Sequence, residues 1–101
     1  MVKVISAVGI DKVEYIYVSS SKSVIFVSSL NEATKFTDFC DEYIEVILEF
    51  LRKNFEDYHF RALSVNSLLF NMETDGRIFD RENFNLEVFR DWVWTIFFEF
   101  L

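Results

Sequence analysis

The sequence predicts an α+β fold in which an antiparallel sheet packs against two helices. Residues 2–28 are rich in β-branched and aromatic residues, whereas two later segments have apolar residues at steps of three and four. The 101 residues, 51 % of them hydrophobic, have the length and the apolar material for a single domain, which we assign to residues 1–101. With 19 % aromatic residues, two glycines and no proline, the chain does not have the composition of a disordered protein.

Three strands are predicted in the first part of the chain. Their sequences are VKVISAVGI (2–10), VEYIYVS (13–19) and SVIFVS (23–28), and short polar turns separate them. Since strands joined by short turns pair most simply with their neighbours, we predict an antiparallel meander.

The longest helix is predicted from about residue 32 to residue 55, with a start at Asp38 as the alternative. Ser29 or Asn31 can cap its first turn. Apolar residues recur along it at three- and four-residue steps, so one face is expected to enter the core. The residues of that face are Phe36, Cys40, Tyr43, Ile44, Ile47, Leu48 and Leu51.

The rest of the chain is predicted to contain a hairpin and a second helix. Strands at about 62–72 and 77–79 flank Asp75-Gly76, a dipeptide typical of hairpin turns. Residues 86–101 fit both a helix and a strand, and we predict a helix because most polar residues then share one side. The apolar side of that helix is expected to place Trp92, Ile96 and Phe100 in the core.

The composition argues against several classes of function. A net charge of −7 disfavours binding to nucleic acid or to an anionic membrane surface, because both need a basic face. Cys40 is the only cysteine, so no internal disulfide forms, and the sequence has neither a signal-peptide pattern nor a segment long enough to span a membrane. We therefore expect a soluble cytoplasmic protein.

No motif of an active site or a metal site is present. Cys40 and His59 form no recognised zinc spacing or nucleophile pair. Two glycines leave no loop that could cradle phosphate. We expect no enzymatic activity, no metal and no cofactor.

Acidic residues are concentrated in the predicted long helix. Residues 31–49 hold six acids and one base, a net charge of −5 out of the total of −7. We call the five that follow one another at helical spacing the acidic stripe: Asp38, Asp41, Glu42, Glu45 and Glu49. Each like-charged pair at such spacing costs a helix about 0.2–0.5 kcal/mol.

Two interpretations of the acidic stripe stay open at this point: a solvated face that keeps the protein soluble, and a docking surface for a cationic partner. In either case the five side chains are expected to be exposed. We also expect them to lack Lys or Arg partners within the chain, except for Glu49 with Arg52 or Lys53.

Trp94 and Phe98 fall near the polar side of the predicted second helix, together with Glu87 and Asp91. Aromatic side chains surrounded by acids are typical anchors of protein interfaces, so both are candidate partner-binding residues. The alternative is that the two rings are buried in the core or in a dimer seam.

A small, acidic, aromatic-rich domain without catalytic residues resembles the immunity proteins of colicin and contact-dependent inhibition toxin systems in bacteria. The resemblance lies in size, charge and composition over the whole chain. It implies a tight one-to-one complex with a basic toxin domain, commonly a nuclease with a cationic cleft. A phage-encoded inhibitor of a host nuclease has the same features.

A function of another class fits the same composition. The chain is then a non-catalytic structural or adaptor subunit that forms a homodimer or larger homo-oligomer through its aromatic C-terminal segment. In that case the acidic residues serve only solubility.

Overall fold

The computed structural model describes residues 2–18, 24–37, 40–66, 78–79 and 85–100, and of residues 96–100 it gives the backbone alone. These residues form one four-stranded antiparallel sheet and two α-helices, which confirms the predicted α+β class. The elements are β1 (Val2–Val8), β2 (Val13–Val18), β3 (Val24–Val27), a 3₁₀ helix (Leu30–Glu32), α1 (Asp41–Asn54), β4 (His59–Val65) and α2 (Leu86–Phe100).

The sheet has the strand order β3-β2-β1-β4, so β1 lies inside it. The first three strands form the predicted meander, with Ser6 opposite Tyr15 and Tyr15 opposite Val27. β4 pairs with β1 along its whole length, from Val2 opposite Val65 to Val8 opposite His59. Side-chain alternation in β2 buries Ile16 and Val18 against the helices.

The long helix begins at Asp41, so the predicted start near residue 32 is wrong. The side chain of Ser29 does cap a helix by accepting the backbone N–H of Glu32, but that helix is the short 3₁₀ helix. The chain then becomes extended, and Phe36 exchanges two backbone hydrogen bonds with Lys3, of 2.8 and 2.9 Å. Pairing with β1 outweighs the helical period of the sequence here.

α1 supplies much of the core. Of the seven residues predicted to face inward, six are buried and Tyr43 is half-buried, although Phe36 and Cys40 precede the helix. Val46 and Phe50 are buried as well, which the predicted face does not include. Acidic residues in the first turn and basic residues in the last turn suit the helix dipole.

α2 confirms the prediction of a helix over the C-terminal segment. Asn85 caps it, since its side-chain oxygen accepts the backbone N–H groups of Glu87 and Val88 at 3.0 and 3.4 Å. Phe89 and Val93 are buried, whereas Trp92, predicted in the core, is half-buried at its edge. The side chains of Ile96 and Phe100 lie outside the described residues.

α2 packs against α1, and α1 in turn packs against the sheet. Tyr43 contacts Phe89 with ring centroids 5.3 Å apart, and Phe50 contacts Trp94 at 5.6 Å. The later residue of α1 contacts the later residue of α2, so the two helices run in the same direction.

The strand predicted at 62–72 begins earlier, at His59, and its described part ends at Val65. The predicted turn at Asp75-Gly76 lies outside the described residues. In the second predicted strand, Ile78 forms a single parallel bridge with Lys35. None of the helices in the described part of the chain is long and apolar enough to cross a membrane.

Candidate functional site

Four residues of the acidic stripe belong to α1, and all four are exposed, as predicted: Asp41, Glu42, Glu45 and Glu49. Asp38, the fifth, lies outside the described residues. Since most buried residues of α1 lie on its opposite side, the helix fixes these carboxylates on the solvent side.

Asp41 has an intramolecular partner, contrary to the prediction. Its Oδ1 lies 2.9 Å from Nζ of Lys3, and both side chains are substantially exposed. The sequence does not reveal this pair, because it depends on where β1 lies relative to the start of α1. The backbone of Lys3 pairs with Phe36, which brings β1 close to the start of α1.

Glu42, Glu45 and Glu49, unlike Asp41, have no cationic partner in the described part of the chain. Within the described residues, no hydrogen bond or ion pair involves any of their three carboxylates. The pairing of Glu49 with Arg52 or Lys53, expected from sequence, does not occur. The three charges are therefore not compensated within the described chain.

The two cations at the end of α1 are engaged elsewhere. Arg52 donates from Nη2 to the backbone carbonyl oxygen of Phe60, at 2.9 Å, and so ties α1 to β4. The ammonium of Lys53 lies 5.4 Å from the ring centroid of Trp94 in α2, a cation–π distance. These contacts explain why Glu49 keeps no cationic partner.

The four described residues of the acidic stripe line an open groove between the two helices, with a volume of about 380 Å³. We call it the α1–α2 groove. Val46 and Leu86 give it an apolar floor, and Arg90 of α2 lines it together with the acids. The residues that line it are Asp41, Glu42, Glu45, Val46, Glu49, Leu86 and Arg90.

Arg90 is exposed and makes no ion pair within 4.0 Å in the part of the chain that the structure describes. The groove therefore presents uncompensated charge of both signs around a small apolar surface. Its volume is within the range of about 300–1,000 Å³ that is usual for ligand pockets. It has room for a few side chains of a partner.

Trp94 lies beside this groove but is not fully exposed. Its half-buried ring meets the ring of Phe50 edge-on, and the ammonium of Lys53 lies over it. Trp94 is one helical turn beyond Arg90, so the structure brings this candidate to the same junction of helices as the acids. The side chain of Phe98 lies outside the described residues.

Sequence reasoning missed Val46, Leu86 and Arg90. One signal was present: Val46 is four residues after Glu42 and three before Glu49, so it shares their helical face. An apolar residue on a charged face indicates that another element covers part of that face. The identity of that element depends on packing between segments about forty residues apart.

The remaining candidates of the chain do not form a site. Cys40 is buried in the core, and His59 is exposed on β4. Among the described residues, no group of three or more His, Cys, Asp or Glu side chains is arranged to hold a metal ion. Comparisons with protein-family models, with curated proteins and with solved structures find no match to this chain.

Proposed function

We propose that this protein is a small acidic immunity or inhibitor protein that neutralises a cationic toxin domain, such as a nuclease, by binding to it. The observation that carries the proposal is the state of Glu42, Glu45 and Glu49. They are exposed, adjacent on one helix and without an intramolecular cation, although two cations lie in the last turn of the same helix.

Electrostatics supports a partner for this surface. Like charges at helical spacing cost the free protein about 0.2–0.5 kcal/mol for each pair. A cationic partner converts this repulsion into attraction, and complementary charge raises the rate of encounter by about 10- to 1,000-fold. The acidic surface thus lowers the stability of the free protein slightly and favours association with a cationic partner.

The test is affinity capture at low salt, in which the natural chain is compared with the variant Glu42→Gln, Glu45→Gln, Glu49→Gln. A partner of the proposed kind is a basic protein that the natural chain retains and the variant releases. After purification, it should form a one-to-one complex with the protein, and its toxic or nucleolytic activity should fall to background at equimolar inhibitor.

The matched control bait is Asp11→Asn, Glu56→Gln, Asp57→Asn, which makes the same change in net charge at exposed residues outside α1. It should retain the partner. Equal loss of the partner by both variants would show that the net charge of the protein, and not the acidic stripe, holds the partner. A homo-oligomer in light scattering, with no basic protein retained, would favour the structural subunit instead.

A further inference from the structure

We infer that the α1–α2 groove binds an amphipathic helix of the partner, with lysine or arginine residues along one flank and a carboxylate on the other. This inference rests on the proposed function and specifies the chemistry of its binding site. It is carried by the groove's apolar floor, by the spacing of its carboxylates and by the uncompensated guanidinium of Arg90.

The shape of the groove calls for an apolar side chain as well as charges. Val46 and Leu86 line the groove together with the acidic residues of α1 and Arg90 of α2. Val46 is buried and Leu86 is half-buried, so an apolar side chain of the partner placed on the exposed part of Leu86 removes both surfaces from water. The occupant is therefore amphipathic.

The spacing of the carboxylates favours a helix over an extended segment. With a rise of about 1.5 Å per residue, the Cα atoms of Glu42, Glu45 and Glu49 are separated along the α1 axis by about 4.5 and 6 Å. Lysines at steps of three and four on a partner helix laid alongside reproduce these intervals. In a strand, residues on one face repeat every 6.6–6.8 Å or so and fall out of step over the same length.

Arg90 adds a requirement of opposite sign. Arg90 lines the groove with four acidic residues, yet none of their carboxylates pairs with its guanidinium within 4.0 Å. A wholly cationic segment would meet repulsion at this side. A carboxylate on the second flank of the partner helix pairs with Arg90 and fixes the orientation of that helix.

The probe is a synthetic alanine-rich peptide of about 20 residues, above the length of about 12–15 residues below which an isolated helix is marginal in water. It carries three lysines at steps of three and four, two leucines on the adjacent face and one glutamate beyond them. A second peptide has the same composition with its lysines at every second position. A third has the glutamate replaced by lysine. Binding to the full-length protein is followed by fluorescence anisotropy.

The helical peptide should bind about threefold to 100-fold more tightly than the peptide with alternating lysines, since three exposed charge pairs separate them. Arg90→Glu should weaken binding of the helical peptide by about fivefold to tenfold. The same variant should bind the third peptide more tightly than the natural chain does. Such an exchange of preference reports on charge at this position and not on folding.

Equal binding of the helical and alternating peptides would overturn the inference, as would no binding below 1 mM or no effect of Arg90→Glu. These results are separable from the proposed function. If the triple Gln variant still loses the captured basic protein, the acidic stripe is a binding surface and only the helix-in-groove geometry is wrong.

Discussion

Single residues decide which charges of this protein are available to a partner. Lys3 forms an ion pair with Asp41, and Arg52 donates a hydrogen bond to a backbone carbonyl of β4. Lys53 lies over the ring of Trp94. Glu42 and its two neighbours at steps of three and four are left uncompensated in the described chain. Sequence periodicity predicts that these acids are exposed, but it does not predict which cation goes where, because each of those contacts joins different elements.

The core face of α1 gives a prediction at the same scale. Ile47 and Leu48 are almost fully buried, so Ile47→Ala should lower the free energy of unfolding by about 2–5 kcal/mol, through lost apolar burial and a residual cavity. Glu49→Ala on the exposed side serves as the control and should stay within about 0.5 kcal/mol of the natural chain. Urea unfolding measures both. Equal stability of the two variants would mean that α1 faces the other way.

Lys12 provides a prediction about proton binding. Hydrogen bonds with Glu14 and Tyr58 raise its pKa above the ordinary value of 10.5, and the ammonium lies 3.2 Å from the Glu14 carboxylate. Because the pKa is raised on folding, the pair stabilises the protein below pH 10.5, and this contribution is lost as pH rises through the higher folded pKa.

Glu14→Gln should therefore lower the pKa of Lys12 toward 10.5, as followed by NMR titration of the side chain. Glu56→Gln, exposed and outside these contacts, should leave that pKa where it is. A Lys12 pKa that does not respond to Glu14→Gln would show that Tyr58, over whose ring the ammonium lies at 5.9 Å, is the dominant partner.

At the level of elements, the predictions from sequence succeed where local pattern and tertiary packing agree. The meander follows from the alternation of apolar and polar residues, and most of α1 follows from apolar residues at steps of three and four. The first part of the long helix fails because Phe36 fits the helical period but forms a backbone bridge to Lys3, and its neighbour Lys35 forms one to Ile78. Those bridges join distant segments, so no window of local sequence contains them.

The acids of α1 should divide into two groups in stability measurements. Glu45→Gln relieves repulsion with acids one turn away on both sides, so it should raise the free energy of unfolding by about 0.2–0.5 kcal/mol for each relieved pair. Asp41→Asn removes the exposed ion pair with Lys3 and should lower it by up to about 1 kcal/mol. Urea unfolding at low salt resolves the two signs. If both variants change the free energy of unfolding in the same direction, the ion pair with Lys3 does not compensate Asp41.

At the level of the whole molecule, the fold places the three uncompensated glutamates of α1 beside its junction with α2. α1 is covered by the sheet on one side and by α2 on another, and the α1–α2 groove remains between the two helices. The sequence reveals the acids of this groove, but not Leu86 and Arg90 beside them. Their position depends on the parallel packing of two helices, which no local pattern specifies.

The central claim is that the acidic stripe captures a cationic partner. The measurement that tests it most directly is the association rate constant with the captured basic protein, by stopped flow at low and at physiological salt. The proteins compared are the natural chain, the triple variant of Glu42, Glu45 and Glu49, and the control variant of Asp11, Glu56 and Asp57. All six positions are exposed, and both variants change the net charge equally.

Complementary charge acts mainly on the rate of encounter and is screened by salt. The triple variant of the stripe should therefore associate about tenfold or more slowly at low salt, with a flatter dependence on salt. The control variant should stay close to the natural chain. Equal rates and equal salt dependence for the stripe variant and the natural chain would contradict the account and leave the stripe as a solvated face.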